Sequence, residues 1–146
     1  MTALAPIKIL HVEDDANDTL LFQHACSKAG VNFQITPVSD GDEAIAYLRG
    51  IGRFSDRNEY PIPQLIVLDL KIQRLSGFDV LAWLRTEAPF DKIPVIVLTS
   101  SNHDIDIRRA QDLGASSYLV KPVGFEGLVE VARTINDFWA GRNVKT

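Results

Sequence analysis

The stretch that most constrains the fold is Leu65-Ile66-Val67-Leu68-Asp69-Leu70. Four successive apolar residues with branched side chains and no polar partner on either face describe a strand buried on both sides, as in the centre of a parallel sheet. Such a strand needs a layer of helices above and below it. The run then places one carboxylate, Asp69, at its C-terminal end. In open α/β sheets the crevice outside the carboxyl ends of the strands is where ligands bind.

The flanking sequence supplies the layers. Ile7–Val12 reads as a first strand, ending in Glu13-Asp14-Asp15. A helix follows, capped by Asp15 or Asn17, with Leu20, Leu21, Phe22, Ala25 and Ala29 as its apolar stripe and Gly30 as its stop. Phe33–Val38 is a less apolar strand and belongs at an edge. Asp40-Gly41-Asp42-Glu43 opens a second helix with Ala44, Ile45, Tyr47 and Leu48 on one face. Residues 50–64, with Gly50, Gly52, Pro61, Pro63 and several charges, read as a polar surface loop, long for an αβ connection. After the central strand come a helix from Gly77 to Ala88, with Phe78, Leu81, Leu84 and Trp83 facing inward, and a strand Ile93–Leu98 ending in Thr99. A weak helix over 103–113, a strand Ser117–Val120 ending in Lys121-Pro122, and a helix from Phe125 to Trp139 complete the chain. Five strands thus alternate with five helices, which predicts one doubly wound parallel sheet with right-handed crossovers.

The 146 residues suit a single domain, 1–146, with its core over about 7–140 and no output domain. No apolar run reaches the length of a spanning helix, and residues 1–6 carry no basic leader, so a cytoplasmic location is expected. Net charge is −4, which offers no general basic field for nucleic acid. The single cysteine, Cys26, lies among apolar neighbours and reads as a core residue. His11 lies inside a strand and reads as structural, while His24 and His103 lack metal-ligand spacing.

Chemistry gathers at one sheet edge. Glu13 and Asp14 end the first strand, Asp69 the third, Thr99 the fourth and Lys121 the fifth. Carboxylates so placed repel one another unless a cation joins them. An all-oxygen ligand set suits Mg²⁺, which prefers one or two carboxylates with waters and phosphate oxygens. A lysine and a hydroxyl aimed at the same point supply the charge and hydrogen bond that a phosphoryl group requires. The site reads as a carboxylate nucleophile with a metal and phosphate-binding groups.

These residues, in this order and spacing, resemble the receiver domain of two-component response regulators. The resemblance rests on Val12-Glu13-Asp14-Asp15, Leu68-Asp69-Leu70 with Gly77, Leu98-Thr99-Ser100 and Tyr118-Leu119-Val120-Lys121-Pro122, and spans Ile7 to Trp139. It implies a flavodoxin-like sheet of order 2-1-3-4-5. It implies that Asp69 accepts a phosphoryl group from a sensor histidine kinase, and that Glu13, Asp14, Asp69 and the backbone carbonyl of Lys71 bind Mg²⁺. Lys121 would pair with the phosphoryl oxygens, aimed by a cis bond before Pro122. Thr99 would swing onto the phosphoryl group and Tyr118 would move inward, altering the surface of the fourth helix and fifth strand. Relay would follow by partner binding, by homodimerisation, or by transfer to a histidine phosphotransfer protein. The long 50–64 loop, the Ile-Pro-Val-Ile-Val-Leu-Thr strand and Asp137-Phe138-Trp139 resemble stand-alone receivers that partner bacterial phytochromes.

Two positions depart from the family pattern. Gln73 stands where a proline is usual, and Lys71 occupies a position that influences acyl-phosphate lifetime. Two other classes use a similar sheet edge. A haloacid dehalogenase-type phosphatase needs a second aspartate two residues after the nucleophile, where this chain has Lys71. A flavodoxin needs a hydroxyl- and glycine-rich phosphate loop after the first strand, where Glu13-Asp14-Asp15 would repel the flavin phosphate.

Overall fold

The computed structural model describes residues 5–143, so most of the stretch lacking a basic leader lies outside the described residues. Five parallel strands form one sheet in the order β2-β1-β3-β4-β5, with β1 Ile7–Val12, β2 Phe33–Val38, β3 Leu65–Leu68, β4 Val95–Thr99 and β5 Ser117–Val120. The intervening helices are α1 Ala16–Ala29, α2 Gly41–Arg49, α3 Gly77–Thr86, α4 Asp104–Asp112 and α5 Phe125–Asn143. The five-strand, five-helix reading and its strand order hold, with β2 at an edge as its mixed composition predicts.

The period-2 geometry of strands divides the central residues between two cores. Leu65 and Val67 of β3 join Ile9, Ile96 and Leu98 beneath α1 and α5. Ile66 and Leu68 join Leu10, Val12, Val95 and Val97 beneath α2, α3 and α4. All four β3 residues are fully buried, which is why the strand shows no polar alternation.

Asp15 caps α1 by accepting from the amides of Asn17 and Asp18, and Gly30 ends that helix in the left-handed conformation. The apolar stripe of α1 is narrower than expected. Phe22, Ala25 and Cys26 are buried, but Leu20 and Leu21 are exposed. Successive residues are about 100° apart around a helix, so Leu20, Leu21 and Phe22 cannot all face the sheet.

Residues 50–64 are more than a solvated loop. A 3₁₀ turn, Gly52–Phe54, buries Phe54 against Tyr47 and Tyr60, with ring centroids 5.1 and 5.2 Å away. Arg57 donates to the carbonyls of Tyr47, Leu48 and Tyr60 at 2.8, 2.5 and 3.1 Å, closing the C-terminus of α2. The segment adds Phe54 to the core beneath α2, α3 and α4, with Tyr60 packed against it.

Candidate functional site: an acidic strand edge around Asp69

The register of the sheet carries the site residues to one place. Beyond the strands, the Asp69 amide donates to the Val12 carbonyl at 3.0 Å, the Glu13 amide to Val38 at 3.0 Å, and the Lys121 amide to Thr99 at 2.8 Å. Each bond continues a strand ladder by one residue, so the side chains that follow the apolar runs emerge together.

Asp69, 5% exposed, is held at both oxygens. Its Oδ1 accepts from the Thr99 hydroxyl at 2.7 Å and from the Lys71 amide at 3.1 Å, and its Oδ2 accepts from the Lys121 ammonium at 2.8 Å. The same ammonium donates to Glu13 at 2.7 Å and to Asp18 at 3.0 Å. Glu13, Asp14 and Asp69 each offer a carboxylate oxygen, and these oxygens lie within 4.8 Å of one another. Asp14 is exposed, while Glu13 and Asp69 are buried.

Charge is unbalanced here. Lys121 carries the one cation within hydrogen-bonding reach of Glu13, Asp18 and Asp69 among the described residues. Burial works against the Lys121 charge, but hydrogen bonds to Asp69, Glu13 and Asp18 outweigh it and raise its pKa. Burial pushes the Glu13 carboxyl up to about 7, despite its hydrogen bond to Lys121, and the Asp69 charge adds to that push. A divalent cation would correct this imbalance. The residues fit one in donor chemistry, in clustering and in charge.

The sequence-predicted residues therefore converge: Asp69, Glu13, Asp14, Thr99 and Lys121 form one cluster. Tyr118 stands aside from it, half-buried against the α2–α4 core, with its hydroxyl donating to the Ser101 carbonyl at 2.9 Å. Lys71 is exposed, and its amide, at 3.1 Å, is the group that faces Asp69. Pro122 requires a correction. Among the described residues the cis peptide bond is Ala88–Pro89, and Lys121–Pro122 is trans. Three carboxylates and the Thr99 ladder bond aim Lys121, so the prevalent trans isomer serves.

Asp18 was not singled out from the sequence. Its signal is helical spacing, since it lies one turn beyond Asp14 on the first turn of α1. Ser101 was missed too: it is buried, its hydroxyl bonds Asp106 at 2.5 Å, and it lies two residues past Thr99. At the departure from the family pattern, the Gln73 carbonyl accepts from the Gly41 amide at 3.5 Å. Next to it Arg74, in the left-handed region at φ 65°, reaches Asp40 and Asp42 at 3.4 and 3.6 Å. These contacts tie the loop after Asp69 to the start of α2.

Fold and site together define a doubly wound α/β domain with an acidic, cation-ready strand edge. A family model described as the response regulator receiver domain matches residues 9–133, and the chain belongs to that family of two-component response regulators. A probable methanogenesis regulatory protein, FilR2 of Methanothrix harundinacea, is 36% identical over 141 residues, covering 94% of this chain and 86% of that one. Response regulator Rcp1 of Synechocystis is 31% identical over 134 residues, covering 92% and 89%. The crystal structure of its Mn²⁺-bound form superposes with a TM-score of 0.82 over 96% of this chain and 98% of that one. The phosphorylated cyanobacterial phytochrome response regulator RcpA, 34% identical, superposes with a TM-score of 0.86 over 96% and 98%. The receiver fold and a signalling role as phosphoacceptor follow from these relationships. No helix among the described residues is long and apolar enough to cross a membrane.

Proposed function

We propose that this chain is a cytoplasmic response regulator whose receiver domain takes a phosphoryl group onto Asp69 and relays the signal by a change of surface, with no substrate turnover of its own. The observation that supports this best is the convergence of Thr99 and Lys121 on the two oxygens of Asp69, beside an acidic cluster.

One Asp69 oxygen attacks the phosphorus of a phosphohistidine on a sensor kinase. The new O–P bond forms as the N–P bond breaks, and the electron pair leaves with the imidazole, which takes up a proton. Glu13, Asp14, Asp69 and the Lys71 carbonyl would hold Mg²⁺. When bound, the ion offsets charge on the phosphoryl oxygens as they approach buried carboxylates. Lys121 exchanges a carboxylate partner for a phosphoryl oxygen, and Thr99 transfers its hydrogen bond from Asp69 to the same group. Tyr118, tethered to the β4–α4 loop through Ser101, reports that shift to the α4–β5 surface.

Two of the similar solved structures are named as phytochrome or bacteriophytochrome response regulators, which supports a phytochrome-type histidine kinase as the phosphodonor. A histidine phosphotransfer protein and a second copy of the chain are the relay partners to test. The test is intact-protein mass after incubation with Mg²⁺ and a small acyl phosphate. A single phosphoryl adduct, lost in Asp69→Ala and without Mg²⁺, is expected. An adduct that persists in Asp69→Ala would overturn the proposal.

A further inference from the structure

Lys121 follows β5, the outermost strand, while Asp69 follows β3, two strands inward. Neighbouring strands lie about 4.8 Å apart, so the two residues start about 10 Å apart across the sheet. The ammonium spans that gap at the end of a flexible four-carbon stem, and contacts at its tip must hold it there. An ammonium has three N–H donors. All three are engaged, by Glu13 at 2.7 Å, Asp69 at 2.8 Å and Asp18 at 3.0 Å.

The three acceptors are not equivalent. Glu13 and Asp69 belong, with Asp14, to the carboxylate trio that fits a cation, and Asp18 does not. Glu13 and Asp69 follow strands, whereas Asp18 stands on the first turn of α1. Its place there is fixed without its own side chain. Asp15 supplies the cap, accepting from the amides of Asn17 and Asp18 at 2.8 and 3.1 Å. An acid in this turn is favoured by the helix dipole wherever its side chain points. The dipole does not explain why this one points at a lysine 103 residues away.

A bound cation changes the balance among these anchors. Charge on Glu13 and Asp69 is then shared with the ion, and the ion repels the ammonium, so two of the three anchors weaken together. Those are the conditions in which Lys121 must meet a phosphoryl oxygen. We propose that Asp18 is a positioning residue for phosphoryl acceptance, holding the Lys121 ammonium beside Asp69 while Glu13 and Asp69 are engaged with Mg²⁺. This anchor stands outside the metal cluster and keeps its full charge. Lys121 can therefore exchange Asp69 for a phosphoryl oxygen without leaving the site. The role rests on Asp69 as the phosphoacceptor, although the contact between Asp18 and Lys121 does not.

The test follows the Lys121 ammonium through its ¹⁵Nζ–¹H signal, assigned by its absence in Lys121→Met and recorded cold to slow exchange with water. A held ammonium gives a signal, and a free one, exchanging with water, does not. In wild type the signal should persist with and without saturating Mg²⁺. In Asp18→Ala it should persist without Mg²⁺, held by Glu13 and Asp69, and vanish when Mg²⁺ is added. Acetyl phosphate labelling at saturating Mg²⁺ should be about tenfold slower in Asp18→Ala, the equivalent of one charge-assisted hydrogen bond in a partly exposed pair. Asp18→Glu should recover most of that rate. Asp18→Ala combined with Asn17→Asp returns an acid to the first turn on another face of the helix, and should restore stability but not rate. Alanine is the best helix former, so the variants fold, and thermal melting checks it. A Lys121 signal that survives Mg²⁺ in Asp18→Ala, one lost from wild type with Mg²⁺, wild-type labelling in Asp18→Ala, or full recovery through Asn17→Asp would each overturn the proposal. Failure of the phosphoacceptor reading looks different: wild type would take no label, or Asp69→Ala would keep it, while the ammonium signals still report whether Asp18 holds Lys121.

Discussion

Gly77→Ala tests how the loop after Asp69 is built. Gly77 opens α3, and its amide donates to the Leu70 carbonyl at 3.0 Å. A methyl group on its Cα would lie 2.4 Å from the Asp69 carbonyl oxygen and 2.6 Å from the Leu70 Cα. Ordinary contacts are about 3.5–4 Å, so backbone must move by about 1 Å, and no flexible side chain is available to absorb it. Overpacking of this kind costs about 1–3 kcal/mol. For a domain of this size that lowers Tm by about 2–12 °C. Because the atoms displaced belong to Asp69 and its neighbour, phosphoryl acceptance should slow by up to about 100-fold. Gly141→Ala is the control: its added Cβ meets nothing within 4 Å, and it should be neutral or stabilise by up to about 1 kcal/mol. Calorimetric Tm and the rate of acyl-phosphate labelling read both effects. A Gly77→Ala protein within a degree of wild type and labelled at the same rate would refute the reasoning.

Further outcomes are expected. Lys121→Gln leaves Glu13, Asp18 and Asp69 without their shared cation, so metal-free stability should fall by about 3 kcal/mol in denaturant titration. Mg²⁺ should restore more stability to this variant than it adds to wild type. Glu13, whose carboxyl burial lifts to about 7, must lose its proton to hold a metal, so Mg²⁺ affinity should rise as pH increases from about 6 to about 8. Calorimetry in buffers of different ionisation enthalpy should show proton release, and flat affinity would contradict it. Burial, aided by the Lys121 charge, holds His11 down at about 4 against 6.5 when exposed. The folded state therefore resists protonation, and stability present above about 6.5 is lost as pH falls towards 4. Relative to His11→Leu, wild type should lose about 2 kcal/mol between pH 7 and 5, a comparison that cancels the opposite trend from Glu13. Arg57→Ala frees three carbonyls at the end of α2 and should cost about 2–3 kcal/mol while leaving phosphoryl acceptance unchanged.

The central strands were legible because burial on both faces removes the polar alternation of Leu65–Leu68 and Val95–Leu98, leaving runs that no amphipathic element mimics. The acidic edge was legible because each functional residue directly follows such a run. What lies off the strands was harder to read. Phe54 and Tyr60 sit among glycines, prolines and charges, and only the Arg57 clamp shows that residues 50–64 fold back onto Tyr47. Leu20 and Leu21 look like core residues by type, yet the helix period allows only Phe22 of that trio to face the sheet. Asp18 looks like one more first-turn acid favoured by the helix dipole. Its partner, Lys121, is 103 residues away, a contact that local pattern does not carry.

The central claim is that Asp69 is the residue that receives the phosphoryl group. Borohydride reduces an aspartyl phosphate to homoserine, and peptide mass mapping then locates the change. After labelling with acetyl phosphate and Mg²⁺, homoserine should appear at position 69, and should be absent when Mg²⁺ is chelated first. Homoserine at position 14 or 18 instead, or phosphate retained on His11 with Asp69 unmodified, would contradict the account.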